Sequence, residues 1–185
     1  AAVLLGNVDR LDGVARVHSE QPLVGAVGGG LLELDLGHAH FRVLLELGGK
    51  SAMIVRADAD IAAAAQSGLM GLITHSGQGC ALLTRHVVHN SVRAQYVAAL
   101  KGMLALVKIG DPADASVGMG PLIREVARKR TEDYVQIALD QGATLISGGK
   151  RPPGLDKGFF HEPTLFDDVH NSHRIAQEEV FGPIG

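Results

Sequence analysis

The stretch SAMIVRADADIAAAAQSGLMGLITHSGQGCALLTRHVVH, residues 51–89, sets the fold class. Residues 51–56 are mostly apolar and bounded by turn-forming residues, the pattern of a buried strand. Asp58 or Asp60 can cap a helix that carries the alanine run 62–65 and continues to about His75. Residues 85–89, with Val87 and Val88, then read as a second strand. Strands that alternate with helices imply parallel neighbours, because a parallel pair needs a long crossover connection. The expected fold class is therefore α/β with a parallel sheet.

Upstream, residues 43–47 read as a short strand that delivers Glu46 to its end. Residues 1–42 are glycine-rich and irregular, and the run VGAVGGG at 24–30 has no clean period. Main-chain N–H groups of such a run can cradle phosphate, but adjacent glycines are more often a flexible loop. Downstream, Asn90 or Ser91 can cap a helix with Val92, Tyr96, Val97 and Leu100 along one face. Gly110-Asp111-Pro112 and Gly120-Pro121 mark a long loop, residues 123–140 a charged amphipathic helix ended by Gly142, and residues 143–146 a further strand. A domain boundary is expected near Gly48, dividing 1–47 from 48–185.

Two runs carry chemistry. Cys80 is the only cysteine, so an intrachain disulfide is excluded. Taken alone, a single cysteine is more often a small buried hydrophobe than a catalyst. The run LELGGK, residues 45–50, sets the acid Glu46 in apolar surroundings ahead of two glycines. A carboxylate so placed can deprotonate a thiol, or activate water later in a reaction.

LELGGKSA (45–52) and GQGCALLTR (77–85) both resemble the signature sequences of the NAD(P)-dependent aldehyde dehydrogenase family. QEEVFGP, residues 177–183, resembles the family's later cofactor-contacting motif. All three stand in the family's order and spacing. The resemblance implies a parallel-sheet catalytic domain of the aldehyde dehydrogenase type over 48–185, incomplete at its end. Residues 1–47 would be the tail end of a Rossmann-like coenzyme domain. The chain then looks like an internal piece of a longer protein.

The same resemblance implies an aldehyde substrate, NAD or NADP as cofactor, and a homo-oligomeric full-length form. It makes Cys80 the nucleophile that forms a thiohemiacetal and then a thioester, and Glu46 the base that activates the hydrolytic water. Leu47, Gly48, Glu179 and Phe181 would contact the cofactor, with Glu179 on the nicotinamide ribose and Phe181 beside the ring. A helix beginning at Cys80 would lower the thiol pKa through its dipole and offer an oxyanion donor. Departures fall on the pocket: Ile73 replaces an aromatic, His75 an asparagine, and Leu82 a small residue. His75 is expected to be pocket-lining or buried.

Composition bounds the rest. The chain has 185 residues, 46% hydrophobic and 20% charged, which is globular rather than disordered. A net charge of −3 gives no basic footprint for nucleic acid. The apolar stretch 61–73 is too short and too interrupted to span a bilayer. No histidine spacing suggests a metal site. Without a leader pattern and with one thiol, a reducing cytoplasm is the expected compartment. Two other readings share the pattern: a cysteine-dependent acyl-transfer relative, or a non-catalytic fragment of the same fold.

Overall fold

The computed structural model describes residues 7–11, 14–18, 31–35, 40–44 and 48–185. They fall into two compact units, residues 1–49 and 50–185. In the first, β1 (Asn7–Leu11) pairs antiparallel with β2 (Val14–His18), from Asn7 opposite His18 to Leu11 opposite Val14. β3 (Leu31–Asp35) pairs in the same sense with β4 (His40–Leu44). This corrects the irregular reading of residues 1–42 at those strands, and the glycine run 24–30 lies outside the described residues. Asp12-Gly13 stands between β1 and β2 in the sequence, a dipeptide that short hairpins favour. The strand expected at 43–47 is instead β4, ending at Leu44, and Glu46 and Leu47 lie outside the described residues.

The second unit opens with the predicted strand–helix–strand. β5 (Ala52–Val55) and β6 (Arg85–Val88) are parallel, with Ala52 opposite Arg85 and Val55 opposite Val88. Between them runs α1 (Ile61–Ile73), capped by Asp60, whose carboxylate accepts from Ala63 N at 3.1 Å. Its buried residues Ile61, Ala65, Leu69 and Leu72 recur at helical spacing and form one stripe. α2 (Asn90–Leu104) buries Tyr96, Leu100 and Leu104 against it. The cap of α2 is not Asn90 or Ser91 but His89, whose Nδ1 accepts from Ser91 N at 3.3 Å. An imidazole nitrogen here fills the acceptor role usually given to a short polar side chain.

After a long loop, α3 (Glu125–Asp140) begins two residues later than expected, without a side-chain cap. β7 (Thr144–Ser147) and β8 (Leu165–Asp167) then pair antiparallel, contrary to the expectation of parallel strands throughout. The connection between them contains no helix, so the chain returns instead of crossing over. α4 (Arg174–Gln177) follows. Beyond it, Pro183 O accepts from Thr164 N and Gly185 O from Phe166 N, both at 2.8 Å, which lays residues 183–185 beside β8.

β8 joins two apolar clusters. Leu165 belongs to the cluster of α1 and α2, and Phe166 to that of Tyr134, Val135, Ile175 and Ile184. Successive strand residues face opposite sides, so one short strand serves both. Among the described residues no helix is long and apolar enough to cross a membrane. Leu72 has no exposed surface, whereas Leu106 is 85% exposed. Leu72→Ala should cost about 2–5 kcal/mol in urea denaturation, and Leu106→Ala should cost less than about 0.5. Equal losses would contradict this packing.

Candidate active site

The segment that carries Cys80 is shaped by an abrupt helix end. α1 stops at Ile73, and His75, Ser76 and Gly77 follow in left-handed conformation, with φ of 49°, 55° and 74°. For a residue with a β-carbon this costs roughly 1–2 kcal/mol. Side-chain bonds hold the segment. Ser76 Oγ donates to Gly120 O at 2.9 Å, and Gln78 Oε1 accepts from Ile123 N at 3.1 Å. Gln78 Nε2 donates back to His75 O at 3.2 Å.

Cys80 then sits in a turn closed by Leu82 N donating to Gly79 O at 3.4 Å, with its residue exposed. No helix begins at Cys80, which corrects the expected dipole effect on the thiol: the helix lies before it and has already ended. His75 is likewise exposed rather than buried, although Ser76 and Gly77 beside it in the same left-handed turn are buried.

Downstream of the thiol the chain is tied to the core. His86 Nε2 lies 3.0 Å from Leu83 O and Nδ1 lies 2.9 Å from Tyr96 Oη. A carbonyl only accepts, so Nε2 carries the proton and the phenol donates to Nδ1. Burial holds the His86 pKa below its ordinary value and keeps the ring neutral. Leu83 in turn packs where a β-carbon at Gly71 would stand.

The segment 178–183 is held from α3 and α4. Arg174 binds the Glu178 carboxylate through Nε at 3.0 Å and Nη2 at 2.9 Å, and Tyr134 Oη donates to it at 2.5 Å. These donors, Arg174 first, hold the Glu178 pKa down to about 2. Arg130 Nη2 donates to Glu179 O at 2.5 Å. Phe181 is left-handed (φ 59°) and 44% exposed. Gly182 is buried, and a β-carbon there would overlap Thr131 Oγ1.

The two segments meet. A β-carbon at Gly77 would overlap the carbonyl of Gly182 and the nitrogen of Pro183. The cysteine loop is therefore seated, backbone on backbone, on the segment that presents Glu179 and Phe181. Glu179 is half-buried and shares its surroundings with Lys50 and Arg85. Burial, then the Arg85 charge, lowers the Lys50 pKa to about 8, and the Glu179 charge opposes both.

Of the expected site residues, the structure brings the Cys80 loop against the Glu179–Phe181 segment. Gly48 is exposed at the end of the first unit, and the expected positions of Glu46 and Leu47 fall outside the described residues. Gln78, Thr131, Tyr134 and Glu178 were not singled out as site residues. The spacing of Arg174 and Glu178, and of Arg130 and Tyr134, was the available signal. A cavity of about 480 Å³ opens between β6 and β8, lined by Lys50, Arg85, His86, Tyr96, Asp167 and Gly185 among others. Neither Cys80 nor Phe181 lines it, so it is not where the thiol would meet a substrate.

Comparison with known proteins shows the family. The profile of the Aldehyde dehydrogenase family matches residues 26–185. A betaine aldehyde dehydrogenase of Brucella anthropi is 39% identical over 172 residues, covering 91% of this chain and 35% of the relative. The crystal structure of a Mycobacterium tuberculosis aldehyde dehydrogenase complexed with NAD+ is 45% identical with a TM-score of 0.73, covering 76% of this chain and 29% of the other. A betaine aldehyde dehydrogenase of Staphylococcus aureus, in complex with NAD+ and with a BME-modified cysteine, is 42% identical with a TM-score of 0.74, covering 76% and 29%. The α/β fold is thus that of these enzymes. The chain spans about a third of the length of the curated relatives it matches.

Two outcomes follow from the geometry. Gly77→Ala should lose at least about 2 kcal/mol, from the left-handed backbone and from the collision with Gly182. Phe181→Gly relieves a left-handed backbone but gives up the buried half of the ring, so it should cost less than the about 3–5 kcal/mol of truncating a fully buried phenylalanine. Denaturant midpoints compare the two, and a large loss in Phe181→Gly would contradict the strain.

A further outcome concerns Lys50. Its folded pKa of about 8 lies below the ordinary lysine value of 10.5, so the unfolded chain binds more protons between about 8 and 10.5. Stability from this group should therefore rise with pH across that window. Lys50→Met should flatten the rise in a pH series of urea melts, and an unchanged slope would show that Lys50 is not desolvated.

Proposed function

We propose that this chain, which belongs to the aldehyde dehydrogenase family, carries the thiol and part of the cofactor site of an enzyme that oxidises an aldehyde to a carboxylic acid with NAD+. The observation that carries this reading is the seat of Gly77 on Gly182 and Pro183, which sets an exposed thiol turn against the segment of Glu179 and Phe181. The NAD+ bound by the solved relatives supports the choice of cofactor. The modified cysteine of the Staphylococcus aureus relative supports a reactive thiol.

The residues suit a nicotinamide nucleotide. Phe181 offers an exposed aromatic face, and Glu179, two positions earlier, offers a carboxylate that accepts from ribose hydroxyls. Gly48 and the main chain at Leu47 would let backbone approach the ring closely. When bound, the nicotinamide supplies the acceptor for a hydride.

The chain's own residues supply the remaining steps. The Cys80 thiolate Sγ attacks the aldehyde carbon, and the C=O pair moves to oxygen as a thiohemiacetal oxyanion. Preorganised hydrogen-bond donors would stabilise that charge. Loss of hydride re-forms the carbonyl as a thioester on Cys80. Glu46 takes a proton from water, whose oxygen attacks the thioester carbon and expels the thiolate. The carboxylic acid leaves and Cys80 is restored.

Residues 1–47 belong, on this proposal, to the coenzyme domain and residues 48–185 to the catalytic domain of a homo-oligomeric protein. A reducing cytoplasm is the compartment that would keep a lone exposed thiol active.

In the full-length protein, assayed with betaine aldehyde and with simple aliphatic aldehydes, Cys80→Ala should abolish turnover with NAD binding nearly intact. Glu46→Gln should keep a burst of about one NADH per site and slow the steady rate, because only hydrolysis needs activated water. Rapid-mixing absorbance at the NADH band distinguishes the two variants. Turnover retained without the thiol would overturn the reading.

A further inference from the structure

We infer that Tyr134 is a positioning residue, acting through Glu178 to set both the Glu179–Phe181 segment and the Cys80 loop seated on it. The inference rests on the functional reading above and extends it to a residue that meets neither substrate nor cofactor. Residues 179–182 are pinned at both ends. At one end Glu178 is held by Tyr134 and Arg174, and the Glu179 carbonyl by Arg130. At the other, Pro183 O accepts from Thr164 N at 2.8 Å. Between the pins stands Phe181, a bulky residue kept left-handed with no glycine to ease it.

Tyr134 is the centre of the first pin. Its ring is buried in the second apolar cluster, so its place is fixed by packing. Both guanidinium groups that grip the segment lie over that ring, Arg130 at 5.5 Å and Arg174 at 5.8 Å from its centroid. One buried ring therefore orients three donors, its own hydroxyl and two cations, toward Glu178 and Glu179. Gly182, three residues on, is the seat of Gly77, and Gly77 leads directly to Cys80. A shift in the pin passes to the thiol through a contact of main-chain atoms, with no flexible side chain between to absorb it.

The test uses the 185-residue chain, its Tyr134→Phe variant, which keeps the ring and both cation contacts, and Glu178→Gln. In ¹H–¹⁵N spectra both variants should move the amides of Glu179, Phe181 and Gly182 and, across the seat, those of Gly77, Gln78 and Cys80. Tm should fall by no more than about 2–4 °C, the equivalent of about one hydrogen bond in a chain of this size. The rate of Cys80 alkylation by iodoacetamide should change at least about twofold. Shifts confined to α3 and Glu178, with unchanged alkylation, would overturn the inference, and so would an unshifted Glu178→Gln where Tyr134→Phe does not fold. NAD titration of the same proteins reads the functional proposal separately. Binding weakened about 3–10-fold in Tyr134→Phe would support both, as the loss of one charge-assisted hydrogen bond acting indirectly. No saturable binding to the wild type would count against the cofactor site alone, and the amide shifts would still decide the role of Tyr134.

Discussion

The second unit depends on one approach of main chain to main chain, that of Gly77 to Gly182 and Pro183. Gly77 has no room for a β-carbon at this contact, and a β-carbon on Gly182 would instead collide with Thr131. Close backbone packing of this kind transmits position in a way that side-chain contact does not. A leucine can change rotamer when its neighbour moves, but a peptide plane pressed against another must move with it. The cysteine loop and the 178–183 segment are about a hundred residues apart in sequence and behave as one piece because of it.

Strain gathers at the same place. Four non-glycine residues in the described chain have positive φ, and three of them, His75, Ser76 and Phe181, flank this contact. Each is costly in isolation. They persist because hydrogen bonds fix the chain on either side: Ser76 to Gly120, Gln78 to Ile123, and Glu178 to Tyr134 and Arg174. Backbone strain maintained by its surroundings is common where a loop must present a group at a set angle. Here the presented groups are a thiol and an aromatic ring.

Local features of this fold were legible in the residues, and long-range ones were not. The β5–α1–β6 unit could be read because strand patterning, an aspartate cap and a helical apolar stripe are all written within forty positions. The cap of α2 was misassigned because His89 precedes two residues that are themselves good caps, and only geometry shows which side chain points back. The antiparallel return of β8 depends on a loop whose path no periodicity encodes. The cysteine motif marked the thiol, but the end of α1 at Ile73 was invisible, since His75 and Ser76 carry no signal of a left-handed turn. Glu178 was not singled out, because its partner Tyr134 lies on a different helix, 44 positions away.

Glu179 shows why site residues and structural residues do not separate cleanly. Burial pushes the Lys50 ammonium toward its neutral form, Arg85 pushes it further, and the Glu179 carboxylate opposes both. The acid proposed to hold a ribose is thus also a partner in the charge balance at the entrance to β5 and β6. Removing it would take away an acceptor and, in the same step, leave two cations facing each other at reduced solvation. The cost of the second effect falls on Lys50, which follows the glycine pair, and on Arg85, whose main-chain nitrogen donates to Ser51 at the start of the parallel ladder. A carboxylate at this position therefore also bears on the charges at the start of the sheet. Phe181 is different: its backbone is held left-handed while 44% of the residue stays exposed, the combination of strain and open apolar surface that a site for a bound partner would use.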